Sequence, residues 1–578
     1  MNLHTINVLR LPSSLPPRGH HLPVAFAALV LAAPLAGCGS SSSPPLDPAT
    51  VVPSSAPLYI GAVVQPSGSL KRNTDTAARK LTHSGEPFSG LLSLLSPSGH
   101  KLDYGHDVKP WLGSRAGAFL ASVQTTKAAE ALSEGISKGF SEVLSGTSLA
   151  GLSESALQTL LHSQGVQGAI VLDTTDVGKA RAFLEARAGE AGAHAANYRG
   201  VSYQVAANSN AEGIVGKFAV IGSEAALRGV IETEQSGAAS SIVHAAGYAK
   251  LVASAEAGAL ANVYLDAHGL LGASATKSPA ASSALPLLRG AVAGTEQAYV
   301  SLLPSATSIA LDIDTLASAQ ATNTGLVPNQ GAAQVLSGLP GGSWLAFGIG
   351  DVGASFGEGA AGLRALAALG AKIKIGSFSL EGVFAPFSSP SIDLNRDILS
   401  WTGGAGLFVS GNGLLNLQAG LVIASKDPVR SRAAVGKLAQ AYRLAGDQAT
   451  PTTIAGAEEA VTVRIKGFPV VVAIGAGQGK FAIGLGPASV QEALNPSTTL
   501  SSAANYQAAA TTLGHGSKPS LLVEFPTLVS LIETLGLGQS EGISTALPYL
   551  QSLGTLTAGG GEPLGNGITR ARVVLGLQ

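Results

Sequence analysis

The chain has 578 residues, a formal net charge of -1, and 12% charged against 46% hydrophobic residues. That length allows about two to four domains or one large repeat protein, and apolar segments of clear period exclude a disordered chain. Lys and Arg are scattered with no positive balance, which excludes an electrostatic footprint for nucleic acid. With so few charges, the surface must lean on Ser, Thr, Gly and Ala.

At the start of the chain, Arg10 and Arg18 precede an apolar segment from Leu22 to Ala36. The order of positive, apolar and small residues predicts a secretory signal peptide over residues 1–37. The segment carries Pro23 and Pro34 and is shorter than the roughly 20 residues of a bilayer-spanning helix, so it is not expected to stay as an anchor. It ends in Leu35, Ala36, Gly37 and Cys38, the only cysteine of the chain. These four residues resemble the bacterial lipobox. The resemblance implies cleavage before Cys38 and diacylglyceration of its thiol. The chain would then be held by lipid at the outer face of the cytoplasmic membrane, or at an outer membrane where one exists. Each buried acyl methylene would contribute about 0.8 kcal/mol to that attachment. With no partner thiol, a disulfide within the chain is excluded.

Residues 38–57 are rich in Ser and Pro and read as a tether. Beyond it the sequence repeats itself. GKFA stands at Gly216–Ala219, with Phe218, and again at Gly479–Ala482, with Phe481, an offset of 263. ALPxL recurs at Ala284 and Ala546, an offset of 262, and Tyr248 and Tyr506 are 258 apart. Asp107 and Trp111 match Asp397 and Trp401, both at 290. Asp176 and Asp427 each follow an apolar strand and precede a helical pattern, so they are expected as N-caps, with Pro428 at the first helical position. These matches predict two tandem copies of an α+β unit, over 58–316 and 340–578, each with a mainly antiparallel sheet and helices packed on one face. Residues 317–339 read as a linker. An insertion near 125–165 in the first copy carries Leu132, Ile136, Phe140, Val143 and Leu144 at helical spacing. Whether the two sheets join is left open.

The stretches SSAPLYIGAVVQP, DVKPWLGSRAGAFL and GKFAVIGS, with the tyrosine-led helix before LANVYLD, resemble a bacterial family of unknown function, domain of unknown function 3352. The second copy departs from it, reading SWTGG where the first has PWLGS. The resemblance implies an extracytoplasmic protein and carries no functional residues with it.

Three stretches invite a chemical reading. Gly353 to Gly357 spell GxSxG around Ser355, after the apolar WLAFGIG and before a helical pattern, the context of a nucleophile elbow. The only later histidine is His515, in GHGSKP, which reads as a turn, and in a chain with 73 glycines such a motif arises by chance. His100, Asp103 and His106, followed by Asp107, could hold a divalent metal. The second copy has Arg396 in place of His106 but keeps the Asp and the Trp, so the shared pair reads as structural. GAGQGK, from Gly475 to Lys480, lacks the Ser or Thr of a phosphate loop and leads into a strand. No cofactor is implied. The expectation is a lipid-anchored, non-enzymatic protein of the cell envelope with a binding or structural role. Its partners would be the membrane and a lipid, peptide or envelope protein held on a sheet face or between the copies. The alternatives are a solute-binding lipoprotein of a transporter, which would want βαβ lobes, and a serine hydrolase using Ser355.

Overall fold

Short segments in which apolar residues alternate or run together, closed by glycine turns, become strands. In the first half these are β1 (Leu58–Val63), β2 (Leu112–Val123), β3 (Val166–Thr174), β4 (His194–Tyr198), β5 (Val201–Val205), β6 (Asn210–Val215), β7 (Phe218–Ser223), β8 (Ala261–Asp266), β9 (Thr295–Pro304) and β10 (Ser308–Ala317). The second half has β11 (Ser343–Ile349), β12 (Thr402–Ser410), β13 (Gln418–Ser425), β14 (Gln448–Pro451), β15 (Glu459–Arg464), β16 (Val472–Gly477), β17 (Lys480–Leu485), β18 (Pro519–Glu524), β19 (Leu553–Gly565) and β20 (Ile568–Leu577). The computed structural model describes residues 46–82, 103–123, 165–267, 269–270, 295–317, 330–352, 374–375, 378–379, 382, 385–389, 391–413, 415–514, 516–539 and 543–578. All of these lie in one compact unit, Pro45–Gln578. The expected signal peptide with Leu35, Ala36, Gly37 and Cys38, the insertion, the first ALPxL, His100, Ser355 and His515 lie outside the described residues.

These twenty strands form one sheet, antiparallel throughout, and a separate short hairpin pairs Lys374–Ile375 with Phe378–Ser379. The centre of the sheet is the pair β10–β20. Outward from β10 the order is β9, β8, β1, β2, β3, β7, β6, β5, β4. Outward from β20 it is β19, β18, β11, β12, β13, β17, β16, β15, β14. Every strand of one series thus has its counterpart, ten places later in the chain, in the other.

Asp176 Oδ1 accepts a hydrogen bond from Lys179 N (3.0 Å) and opens α2 (Val177–Glu190), which follows α1 (Gly68–Thr82) in the chain. Asp427 Oδ1 accepts from the amides of Val429 and Arg430 (both 3.1 Å). It caps α6 (Pro428–Leu444). Each cap satisfies amides that a helix start leaves unpaired.

The first half also has α3 (Glu224–Ser236) and α4 (Ala246–Ser254). The second has α5 (Gln330–Ser337), α6, α7 (Gly486–Leu494), α8 (Ala504–Leu513), α9 (Phe525–Thr534) and α10 (Ile543–Gln551). Helices cover both faces of each half, not one as expected. In the first half Trp111 and α2 pack on one face through Ala180 and Leu184, and α3 packs on the other through Leu227, Val230 and Ile231. In the second half Trp401 and α6 take the first face and α7 the second. The reason is that strands such as β3 and β7 bury both of their sides, so each side needs its own cover.

Two expected boundaries move for one reason. The tether was expected to run to residue 57, but a 3-10 turn at Pro48–Val51, capped by Asp47, buries Ala49, Val51 and Val52 in the first half's core. Likewise the linker was expected to run to residue 339, but α5 and the following Leu339 are built into the second half's core. Both segments dock alike: Pro53 bridges Ser241 and Pro340 bridges Thr499, each just before the first strand of its half. Apolar side chains in a Ser/Pro- or Gly-rich context find a core that composition alone does not reveal.

Candidate functional site

The Asp and Trp shared by the halves form the same device twice. In the first, a single π-helical turn at Tyr104–Val108 is closed by Asp107 Oδ2, which accepts from Asp103 N (2.8 Å), and Asp103 Oδ1 accepts from His106 N (3.0 Å). Trp111 Nε1 donates to Asp107 O (2.7 Å) and its ring is fully buried. In the second, Asp393, Arg396, Asp397 and Trp401 repeat these bonds at Leu394–Leu399, with Trp401 Nε1 donating to Asp397 O (2.7 Å). The carboxylates of Asp103 and Asp107 are therefore spent on backbone amides and on His106 Nδ1 (2.8 Å). No cluster of three metal-binding side chains occurs among the described residues. The Arg396 guanidinium beside Asp397 holds its carboxyl well below the usual range, against the effect of burial, and Lys437 from α6 adds to it.

The GKFA motifs are not structural equivalents. Val215 pairs with Phe218 across the first hairpin and Gly477 with Lys480 across the second, so the counterpart of Phe218 is Lys480, one residue short of the motif match. A one-residue slip reverses every side chain. Phe218 accordingly packs with α3 on one face, and Phe481 with Trp401 on the other, their ring centroids 5.2 Å apart. Gly216 (φ 57°) and Gly479 (φ 71°) supply the left-handed backbone of their turns but occupy different places in them.

At the centre of the sheet the two faces differ in kind. On one, Arg570 makes a two-pronged contact with Asp314 (Nε and Nη2, both 2.7 Å) and also donates to Ser254 O (2.7 Å). Arg572 does the same with Asp312 (2.5 and 2.6 Å), and Glu256 reaches both guanidiniums. Beside this cluster Tyr248 stands edge-on to Tyr59, Tyr264 and Tyr299, with ring centroids 5.2–6.2 Å apart. Burial pushes the Tyr264 hydroxyl up to about 12.

The opposite face of the same strands carries no charge, and apart from Thr315 and Thr569 at one end of the β10–β20 pair its central rows are apolar. Directly opposed residues of antiparallel strands share a face. The pairings draw one row through Ala116, Ala62, Ala261, Leu302, Leu311 and Val573. It continues through Ala558, Leu521, Phe347, Leu407, Leu421 and Ile483. The next row reads Ile309, Leu575, Leu556, Val523, Leu345 and Val409. At about 4.8 Å per strand the first row spans roughly 50 Å without a charge. Among the described residues α2 covers its end at Ala116, α1 covers Ala261, Leu302 and Ile309, and α6 borders Leu421 and Ile483, while Leu311, Val573, Leu521 and Phe347 are half-buried and Leu407 is 41% exposed. The sequence left two places open for an apolar surface, a sheet face within each copy or the seam between the copies. The uncharged row crosses the place where the halves join, and the β10–β20 pairing aligns it. No helix among the described residues is long and apolar enough to cross a membrane.

Comparison with known proteins gives a family and little more. No curated protein matches the chain. Among solved structures, crystal form I of TP0453 is similar over 48% of this chain and 81% of that one, at 8% identity and a TM-score of 0.24. The model of the family described as "Protein of unknown function (DUF3352)" matches residues 22–577, and the chain belongs to that family.

Proposed function

We propose that this member of the family is a non-enzymatic, lipid-anchored protein of the cell envelope, and that it binds acyl chains on the apolar face crossing the junction of its two copies. The supporting observation is the uncharged row from Ala116 to Ile483, with Leu311, Val573, Leu521 and Phe347 half-buried and Leu407 exposed along its middle. A polar ligand would find no hydrogen-bond partner there. A peptide strand would find no free edge, because each strand in the row is already paired on both sides. An acyl chain needs neither and gains about 0.8 kcal/mol for each methylene it buries. Attachment through a lipidated Cys38 would keep this face close to its ligand's source.

The test is uptake of the neutral apolar fluorophore N-phenylnaphthylamine by the purified full chain, with mass spectrometry of lipids extracted from it. Bound lipid and saturable uptake are expected, with uptake falling at least tenfold in Leu311→Glu and Leu407→Glu at unchanged circular dichroism. A chain that carries no lipid and takes up no fluorophore would refute the reading. The anchor is checked separately: Cys38→Ser should release the protein from membranes on fractionation.

A further inference from the structure

α1 borders the apolar face at the end where β9 turns into β10. It packs through Ala77, Ala78 and Leu81 against Leu302, Ile309 and Leu577. Asn73 Nδ2 donates to Pro304 O (3.2 Å) and Lys80 Nζ to Ala306 O (3.4 Å), which pins the helix to that turn. Its other side is basic. Lys71, Arg72, Arg79 and Lys80 stand against Asp75 alone, in a chain whose overall charge is -1. Lys71 is paired with Asp75 (2.5 Å), whereas Arg72, Arg79 and Lys80 meet no carboxylate within ion-pair distance among the described residues. At 100° per residue Arg72 and Arg79 fall on the side opposite Leu81, and Lys80 flanks them. Arg72 and Arg79 are exposed and Lys80 half-buried.

We propose that α1 docks the protein on an anionic phospholipid surface, the basic stripe meeting the headgroups while the adjoining apolar face receives the acyl chains. An apolar side resting on apolar strands and a cationic side turned outward is the arrangement that anionic bilayers attract, and three cations near such a surface correspond to roughly a hundredfold in partitioning. The attraction is electrostatic and weakens as ionic strength rises. What the docked surface delivers rests on the acyl-chain reading above.

The experiment uses the full chain carrying Cys38→Ser, so that no acyl group of its own contributes. Sedimentation with phosphatidylcholine vesicles, with and without about one-third phosphatidylglycerol, measures partitioning. At least tenfold tighter binding to the anionic vesicles is expected, lost with added salt. The triple variant Arg72→Gln, Arg79→Gln, Lys80→Gln should bring the two compositions within twofold while N-phenylnaphthylamine uptake stays unchanged. Equal binding to both vesicles, or a preference that survives the triple variant, overturns the role of α1 and leaves the acyl-chain reading intact. A salt-sensitive anionic preference without fluorophore uptake overturns the acyl-chain reading and leaves the docking role intact.

Discussion

Asp312 and Arg572 face each other at the middle of the β10–β20 pair, and each stands four residues after the start of its own strand. The two positions correspond, 260 residues apart, yet one bears an acid and the other a base. Two β10 strands paired in this way would set Asp312 against Asp312, and two β20 strands would oppose Arg572 to Arg572. The buried charges therefore favour one half joining the other over two like halves of different chains.

Reversing one member of this pair should be costly and reversing both should not. Asp312→Arg or Arg572→Asp alone leaves buried like charges, with an expected loss of about 3–5 kcal/mol. The double reversal restores an ion pair at the same place and should recover more than half of that loss, measured by chemical unfolding.

The displaced GKFA register separates two substitutions that look equivalent in sequence. Phe218→Ala and Phe481→Ala should each cost about 3–5 kcal/mol, since both rings are buried. Only Phe481 lies against a tryptophan, Trp401, whereas Trp111 packs on Phe183. Phe481→Ala should therefore shift tryptophan emission to the red, and Phe218→Ala should leave it nearly unchanged.

Asp397 should give the second half an acid-sensitive fold. Its carboxyl, held below the ordinary 3.8 by Arg396 and Lys437, favours the folded state when ionised. That contribution is complete above pH 3.8 and is lost as the pH falls through the lower folded value. Asp397→Asn is expected to lower stability at neutral pH by about 1–3 kcal/mol, the worth of its charge-assisted hydrogen bonds. The difference from the parent protein should close in strong acid. His106 has the opposite sign: Asp107 raises its pKa above 6.5, so its contribution is present in acid and lost as the pH rises through the folded value. Being 88% exposed, it should change stability little when replaced by Gln.

The segment before β1 belongs to the folded unit. A chain beginning at Leu46 should melt as the full chain does. One beginning at Leu58 loses Val51, Val52, Ala49 and Ala56 from the core and Asp47 from its ion pair with Arg115 (2.9 Å), and should lose about 3–5 kcal/mol. Thermal unfolding followed by circular dichroism distinguishes the two.

Local physics was legible in the residues alone. Asp176 and Asp427 cap helices because their short carboxylates reach the free amides just ahead of them. Ser308 and Ile568 begin strands because alternation and turn chemistry act within a few residues, and the Asp–Trp turns close within eight. The order in which strands meet was decided elsewhere. That β10 joins β20, that Lys480 and not Phe481 corresponds to Phe218, and that Leu311, Val573 and Phe347 share one open apolar face depend on pairings between residues hundreds of positions apart. Register and burial on both sides of the sheet set those pairings, and they exist only once the chain has folded.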